Sequence, residues 1–236
     1  LYLAMRDLIR EQDYDALAVA CWSEIQELYR VAPCVAYSWL GSEDGIAVAC
    51  EGDVLGALGM YLLNILTARP GSSTLLDMAA LNPESGDVLL WHCGVSPRHF
   101  ANADGIRWVD HATLGRKTET RYGVAGDLVF APQPTTITYF SHDGATMLAL
   151  EANVVERPTK GYDGTRGWFS EFRLNGTPIS QIDLVNTLTV TGHEHHYAVG
   201  QGSVSNELLE FAAWKGIRTI KAIPYADYVQ LEGVNI

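Results

Sequence analysis

Residues 46–67 read IAVACEGDVLGALGMYLLNILT, and this stretch decides the fold class. Residues 46–50 are a short continuous apolar run, the pattern of a strand buried on both faces of a parallel sheet. Residues 54–67 are strongly apolar at helical length and stop at Arg69-Pro70-Gly71, where proline cannot continue a helix. Working outward, residues 1–12 carry apolar side chains at helical spacing, residues 16–21 repeat the buried-strand pattern, and residues 23–29 return to helix. This alternation predicts the closing part of a doubly wound α/β domain over residues 1–72.

After Gly71 the texture changes. Residues 74–76, 88–92, 128–130, 135–140, 145–155 and 184–191 have strand character. The turn signals between them include Pro83-Glu84-Ser85-Gly86-Asp87, Ser141-His142-Asp143-Gly144 and Asn175-Gly176. Short strands joined by tight turns predict a mainly antiparallel β-barrel over residues 73–236, with a late helix at 206–214 leading into a strand at 218–223. The class expected overall is mixed α+β. The chain opens without methionine and without the features of a signal peptide, which suggests a piece of a longer protein.

Composition narrows the functions. The 236 residues are 47% hydrophobic, ample for a buried core, and no apolar run reaches the roughly 18–20 residues of a membrane-spanning helix. The formal charge of −12, from 28 acidic and 16 basic residues, repels a polyanion and argues against nucleic acid as a partner. Cys21, Cys34, Cys50 and Cys93 are widely spaced in apolar contexts with no C-x-x-C pair. They read as small buried hydrophobes of a reducing cytoplasm rather than as a zinc ribbon or a redox dithiol.

Four places carry chemistry. Glu51 and Asp53 lie where a buried strand meets a helix, the position at which α/β sheets bind ligands. Asp53 suits a helix cap, and Glu51 suits function. Asp77 ends the apolar run Leu75-Leu76, where a carboxylate serves as ligand or turn former, the residues alone slightly favouring the turn. His92 follows residues 88–91 and, taken alone, reads as a strand-end residue. His193-Glu194-His195-His196 is the densest titratable set, and imidazoles with carboxylates suit a divalent transition metal. Its spacing is not the H-E-x-x-H of metalloproteases. Gly200-Gln201-Gly202 is no phosphate loop, and no Gly-x-Ser-x-Gly elbow is present.

Taken together, ACEGDVLGALGM at 49–60, LLDM at 75–78, LLWHCG at 89–94 and GHEHHYAVGQGSVSNELLEFAAWKGI at 192–217 resemble, in order and spacing, the C-terminal part of the L-fucose isomerase and L-arabinose isomerase superfamily. The resemblance implies that Glu51, Asp77 and His196 bind a divalent metal, usually manganese, with magnesium or cobalt as alternatives. It implies His92 as a further ligand of the arabinose type, and His195 as a substrate contact. Glu51 and Asp77 would combine ligation with the proton transfer that interconverts aldose and ketose through an enediol. It further implies a small sugar substrate, a cytoplasmic homo-oligomer whose sites form where subunits meet, and Rossmann-like domains preceding the matched part. Two alternatives stand beside it: a non-catalytic sugar-binding or oligomerisation module of the same fold, and a metal-dependent lyase or epimerase using the same enediol.

Overall fold

The computed structural model describes residues 1–111 and 123–227. The first helix, α1 (Tyr2–Gln12), buries Met5 and Ile9, which stand one turn apart on one face. Strand β1 (Ala16–Ala18) follows. Residues Cys21–Ile25 then wind into a π-helical turn that runs into α2 (Gln26–Tyr29), so the strand expected to reach residue 21 ends three residues early. Helix α3 (Cys34–Trp39) begins after Pro33 and was not expected from periodicity, being less than two turns long. Strand β2 (Ala47–Ala49) pairs in parallel with β1 in the register Ala16↔Ala47. Of the doubly wound sheet expected, the described residues hold this two-stranded parallel pair. Helix α4 (Val54–Leu66) comes next and is capped, as expected, by Asp53, whose carboxylate accepts the Gly56 N–H at 2.7 Å.

The remaining strands are β3 (Ser73–Asn82), β4 (Asp87–His92), β5 (Arg107–Asp110), β6 (Val124–Val129), β7 (Gln133–Phe140), β8 (Thr146–Val155), β9 (Thr165–Leu174) and β10 (Thr177–Pro178). They are completed by α5 (Gln181–Val190), β11 (His196–Gln201), α6 (Ser205–Lys215) and β12 (Arg218–Thr219). One large sheet has the order β12-β8-β7-β11-β3-β4-β9-β6-β5. Its pairings are antiparallel except β12 with β8 and β6 with β9. Strand β8 pairs with β9 as well as with β7. The mixed α/β character and the mainly antiparallel second part thus agree with the sequence. Helix α4 bridges the two sheets: Ala57, Met60 and Leu63 pack between Ala47 and Ala49 on one side and Leu75 and Ala198 on the other. Gly59 permits that approach, since a Cβ there would stand 2.9 Å from the Ala198 methyl group. No helix among the described residues is long and apolar enough to cross a membrane.

The strand expected at residues 184–191 is instead helix α5. Its β-branched residues suggested a strand, but Leu184 and Leu188, one turn apart, are the apolar residues that face the core. Ser180 caps it by accepting the Asp183 N–H. Thr187, Thr189 and Thr191 each donate a hydroxyl hydrogen to the carbonyl four residues earlier, so polar β-branched residues are accommodated within helical backbone. Strands β5, β9 and β11 had no counterpart in the sequence reading. In β9 the polar Arg166 is buried because it meets a buried partner, Asp127 of β6, which also holds Arg107.

That pairing supports a stability prediction. Burial raises the Asp127 pKa, but hydrogen bonds from Arg166, Arg107 and the Gly164 N–H outweigh it and hold the carboxyl below its ordinary value. A depressed folded-state pKa contributes stability above the unfolded value of 3.8, lost as pH falls through the lower folded value. Asp127→Ala leaves Arg166, only 4% exposed, without its partner, and is expected to cost about 3–5 kcal/mol. Denaturant unfolding at neutral pH measures this cost, and a loss under about 1 kcal/mol would refute it.

Candidate active site and metal centre

The site is built on the neighbouring strands β11, β3 and β4 and on the turn leading into α4. His196 opens β11 and lies directly opposite Asp77 of β3, and Asp77 in turn lies opposite Trp91 of β4, beside His92. The β3–β4 register shifts just beyond Asp77, between Met78 and Ala80, an irregularity of the kind that re-aims side chains beside functional sites. Glu51 reaches the same place from the end of β2. Its φ of 61° is left-handed, a conformation that costs a non-glycine residue energy and that the tight turn between β2 and α4 imposes.

These side chains converge. His196 Nε2 lies 3.2 Å from Asp77 Oδ1 and 3.5 Å from Glu51 Oε2. Asp77, His92 and His196 each offer a donor atom, all within 4.8 Å of one another, and so do Glu51, His195 and His196. The His195 ring stands 4.3 Å from that of His196, on the exposed side. Asp77 Oδ1, His92 Nε2 and His196 Nε2 are buried and make no well-formed hydrogen bond, Asp77 and His196 meeting only in the ion-pair contact just given. Leaving three such atoms desolvated costs on the order of 1–3 kcal/mol each unless something binds them. Donors around one cation at about 2.0–2.2 Å are spaced by roughly 3.0–3.5 Å, so the spacing and chemistry of this set suit a divalent cation held by carboxylate and imidazole.

Electrostatics point the same way. Burial pulls the His196 pKa down, but its hydrogen bond to Asp53 and the nearby carboxylates of Glu51 and Asp77 lift it to about 10. The carboxylates therefore favour positive charge at this imidazole. Burial pushes the Asp77 pKa up, and the neighbouring His92, His196 and His195 offset only part of that rise. His92 has a defined hydrogen-bonding state. Its Nδ1 accepts the Cys93 N–H at 2.9 Å, so the neutral ring carries its proton on Nε2, the nitrogen turned toward Asp77 and His196.

Two contributors were not foreseen. Asp53 caps α4 as expected, yet its Oδ2 also accepts from His196 Nδ1 at 2.9 Å, and its Oδ1 accepts from the Tyr139 hydroxyl at 2.9 Å. Burial tends to raise the Asp53 pKa, but the bonds from His196, Gly56 and Tyr139 hold it below the ordinary value. Asp53 thereby orients the His196 ring through Nδ1–H and turns Nε2 toward Asp77 and Glu51, as the outer carboxylate of a metal-bound histidine does. Its spacing two residues from Glu51 across a glycine was the available signal. Tyr139 had none, being one aromatic in an apolar strand. Asp53→Asn keeps a helix cap but removes the charge on Nδ1–H, and is expected to weaken manganese binding by about 10–100-fold. Calorimetric titration measures this, and an unchanged affinity would remove Asp53 from the site.

Comparison with known proteins adds a direction. No protein-family model matches the chain. It is 29% identical over 215 residues to the sulfoquinovose isomerase of Priestia aryabhattai, covering 89% of this chain and 45% of the relative. To the sulfoquinovose isomerase of Alkalicoccus urumqiensis it is 29% identical over 210 residues, covering 88% and 44%. To that of Clostridium sp. (strain MSTE9) it is 27% identical over 216 residues, covering 90% and 45%. The chain therefore spans somewhat less than half the length of these curated relatives. What the comparisons establish is a relationship to sugar isomerases, carried by the part of those proteins that this chain matches.

Proposed function

We propose that this chain is the metal-binding, catalytic part of an aldose–ketose isomerase. The observation that carries this reading is the convergence of the Glu51 carboxylate with the buried polar atoms of Asp77 and His196 on one point. Glu51, Asp77 and His196 would hold a divalent cation, with manganese first and magnesium or cobalt as substitutes. When bound, the ion supplies an electrophile for the carbonyl and adjacent hydroxyl oxygens of the sugar. Glu51, on the exposed side of the cluster, is the base that takes the proton from the carbon next to the carbonyl. Asp77, whose burial makes it hold a proton more readily than an ordinary carboxylate, serves the oxygens through which the enediol forms and collapses. His92 Nε2–H faces the same atoms. It must release that proton to act as a fourth ligand, and otherwise donates a hydrogen bond into the site. His195, exposed beside His196, is placed to touch the sugar.

The names of the relatives make sulfoquinovose the first substrate to test, beside L-fucose, D-arabinose and L-arabinose. The exposed side at Glu51 and His195 leaves room for walls from a second copy, in keeping with a cytoplasmic homo-oligomer as the working form. Ketose formation by the intact protein is followed by NMR with each aldose, after chelation and after adding manganese, magnesium or cobalt. Turnover of at least one sugar, lost on chelation and restored by a cation, is expected. No turnover of any of the four with any cation would overturn the proposal.

A further inference from the structure

The four cysteines, far apart in sequence, gather beneath the site. The Cys21 and Cys50 sulfurs stand 3.1 Å apart and those of Cys34 and Cys93 3.8 Å apart, and the Cys50 and Cys93 sulfurs lie within 4.8 Å of one another. We propose that Cys34, Cys93 and His111 form a second cation site, one that takes a soft, thiolate-seeking ion of the zinc type and staples three chain segments together.

Geometry supports this in two independent ways. The donor atoms of Cys34, Cys93 and His111 all lie within 4.8 Å of one another, and the three residues are 1%, 5% and 2% exposed. A tetrahedral ion with bonds of about 2.3 Å to sulfur holds two thiolates about 3.8 Å apart, which is the separation found. The backbone around these residues is also packed to a tolerance that leaves no freedom to spread. Gly123, whose carbonyl accepts the His111 N–H, lies so close to Ala32 that a Cβ would fall 2.2 Å from the Ala32 nitrogen. Gly94, beside Cys93, meets Gly126 with a Cβ position only 2.7 Å from its nitrogen. Glycines at these two places bring the loop before α3, the end of β4 and the β5–β6 pair into the contact that assembles the three donors.

The chemistry of the set differs from that of the Glu51 site. Two thiolates and a neutral imidazole prefer soft ions, whereas carboxylates suit manganese or magnesium. Two thiolates also neutralise a divalent cation, which suits the apolar cluster of Ala32, Ala36, Val95 and Ala125 around them. Cys50, whose sulfur lies within 4.8 Å of that of Cys93, is the next sulfur for a fourth position. Because Cys93 follows His92 directly and Cys50 precedes Glu51, the staple would anchor the framework on which the first site is built.

Cobalt tests this without recourse to activity. Titrated into the metal-free intact protein, Co2+ is expected to produce intense sulfur-to-cobalt absorption in the near ultraviolet, discharged by Zn2+ and saturating at one ion per chain beyond any taken up by the Glu51 site. The band should persist in the Glu51→Gln/Asp77→Asn double variant, disappear in Cys34→Ser and shift in His111→Gln. Absence of the band from the unsubstituted protein overturns the proposal, whatever the variants do. A full-strength band in a Cys34→Ser variant that folds, or its loss from the Glu51→Gln/Asp77→Asn variant, overturns it equally.

Discussion

Glu51→Gln is expected to lower ketose formation by about 10²–10⁴-fold, the contribution of a positioned general base, while the protein stays folded. Glutamine keeps the size and hydrogen-bonding reach of glutamate but cannot take a proton, so at saturating manganese the loss should fall on kcat rather than on KM. The backbone allows a sharper test. Because Glu51 sits at φ 61°, Glu51→Gly should relieve strain of about 1 kcal/mol and raise the melting temperature even as activity disappears. A strained residue whose replacement stabilises the protein but ends turnover is there for function. If both variants kept near-normal kcat, Glu51 would be a turn residue and the base would lie elsewhere.

His196→Ala is expected to abolish measurable manganese binding, a fall of more than about 100-fold. It removes the imidazole on which Glu51, Asp53 and Asp77 all converge. It also leaves those carboxylates facing one another without the positive charge they favour, so the metal-free variant should be less stable than the metal-free parent. Calorimetric titration with Mn2+ and thermal unfolding of both metal-free proteins measure the two effects. Retention of affinity within about threefold would exclude His196 as a ligand. His195→Ala, by contrast, removes an exposed ring outside the buried triad, and its effect should fall mainly on KM.

How far the sequence could be read depended on how local each signal was. The strand-to-helix turn at residues 50–54 announced itself because a buried strand, a capping aspartate and an apolar helix follow one another within a few residues. The helix at α4 and its cap were therefore legible. Helix α5 was misread because its threonines and valines favour strands when taken one by one, and the i−4 hydroxyl bonds that accommodate them in a helix leave no mark in composition. Strands β9 and β11 were hidden for another reason. Arg166 is buried only because Asp127 waits for it from β6, and His196 begins a strand only because β3 and β7 flank it. Such pairings are tertiary facts.

The same distinction holds at the site. Glu51, Asp77, His92, His195 and His196 could be named because short segments in a fixed order resembled a known superfamily, and the fold brings all five into one neighbourhood. Residues 51 and 196 meet through a side-chain contact between the turn before α4 and the start of β11, which no spacing rule expresses. Asp53 was seen in its local role as a cap, while its long-range bond to His196 was invisible. The cysteines were read as buried hydrophobes, and buried they are. Their convergence across segments as distant as residues 34 and 93 needed the fold.

The most direct test of the central claim is anomalous diffraction at the manganese edge from crystals of the intact protein grown with Mn2+. One strong peak is expected within about 2.0–2.6 Å of carboxylate oxygens from both Glu51 and Asp77 and of His196 Nε2. A peak elsewhere, or full occupancy of this position by ordered water at saturating manganese, would contradict it.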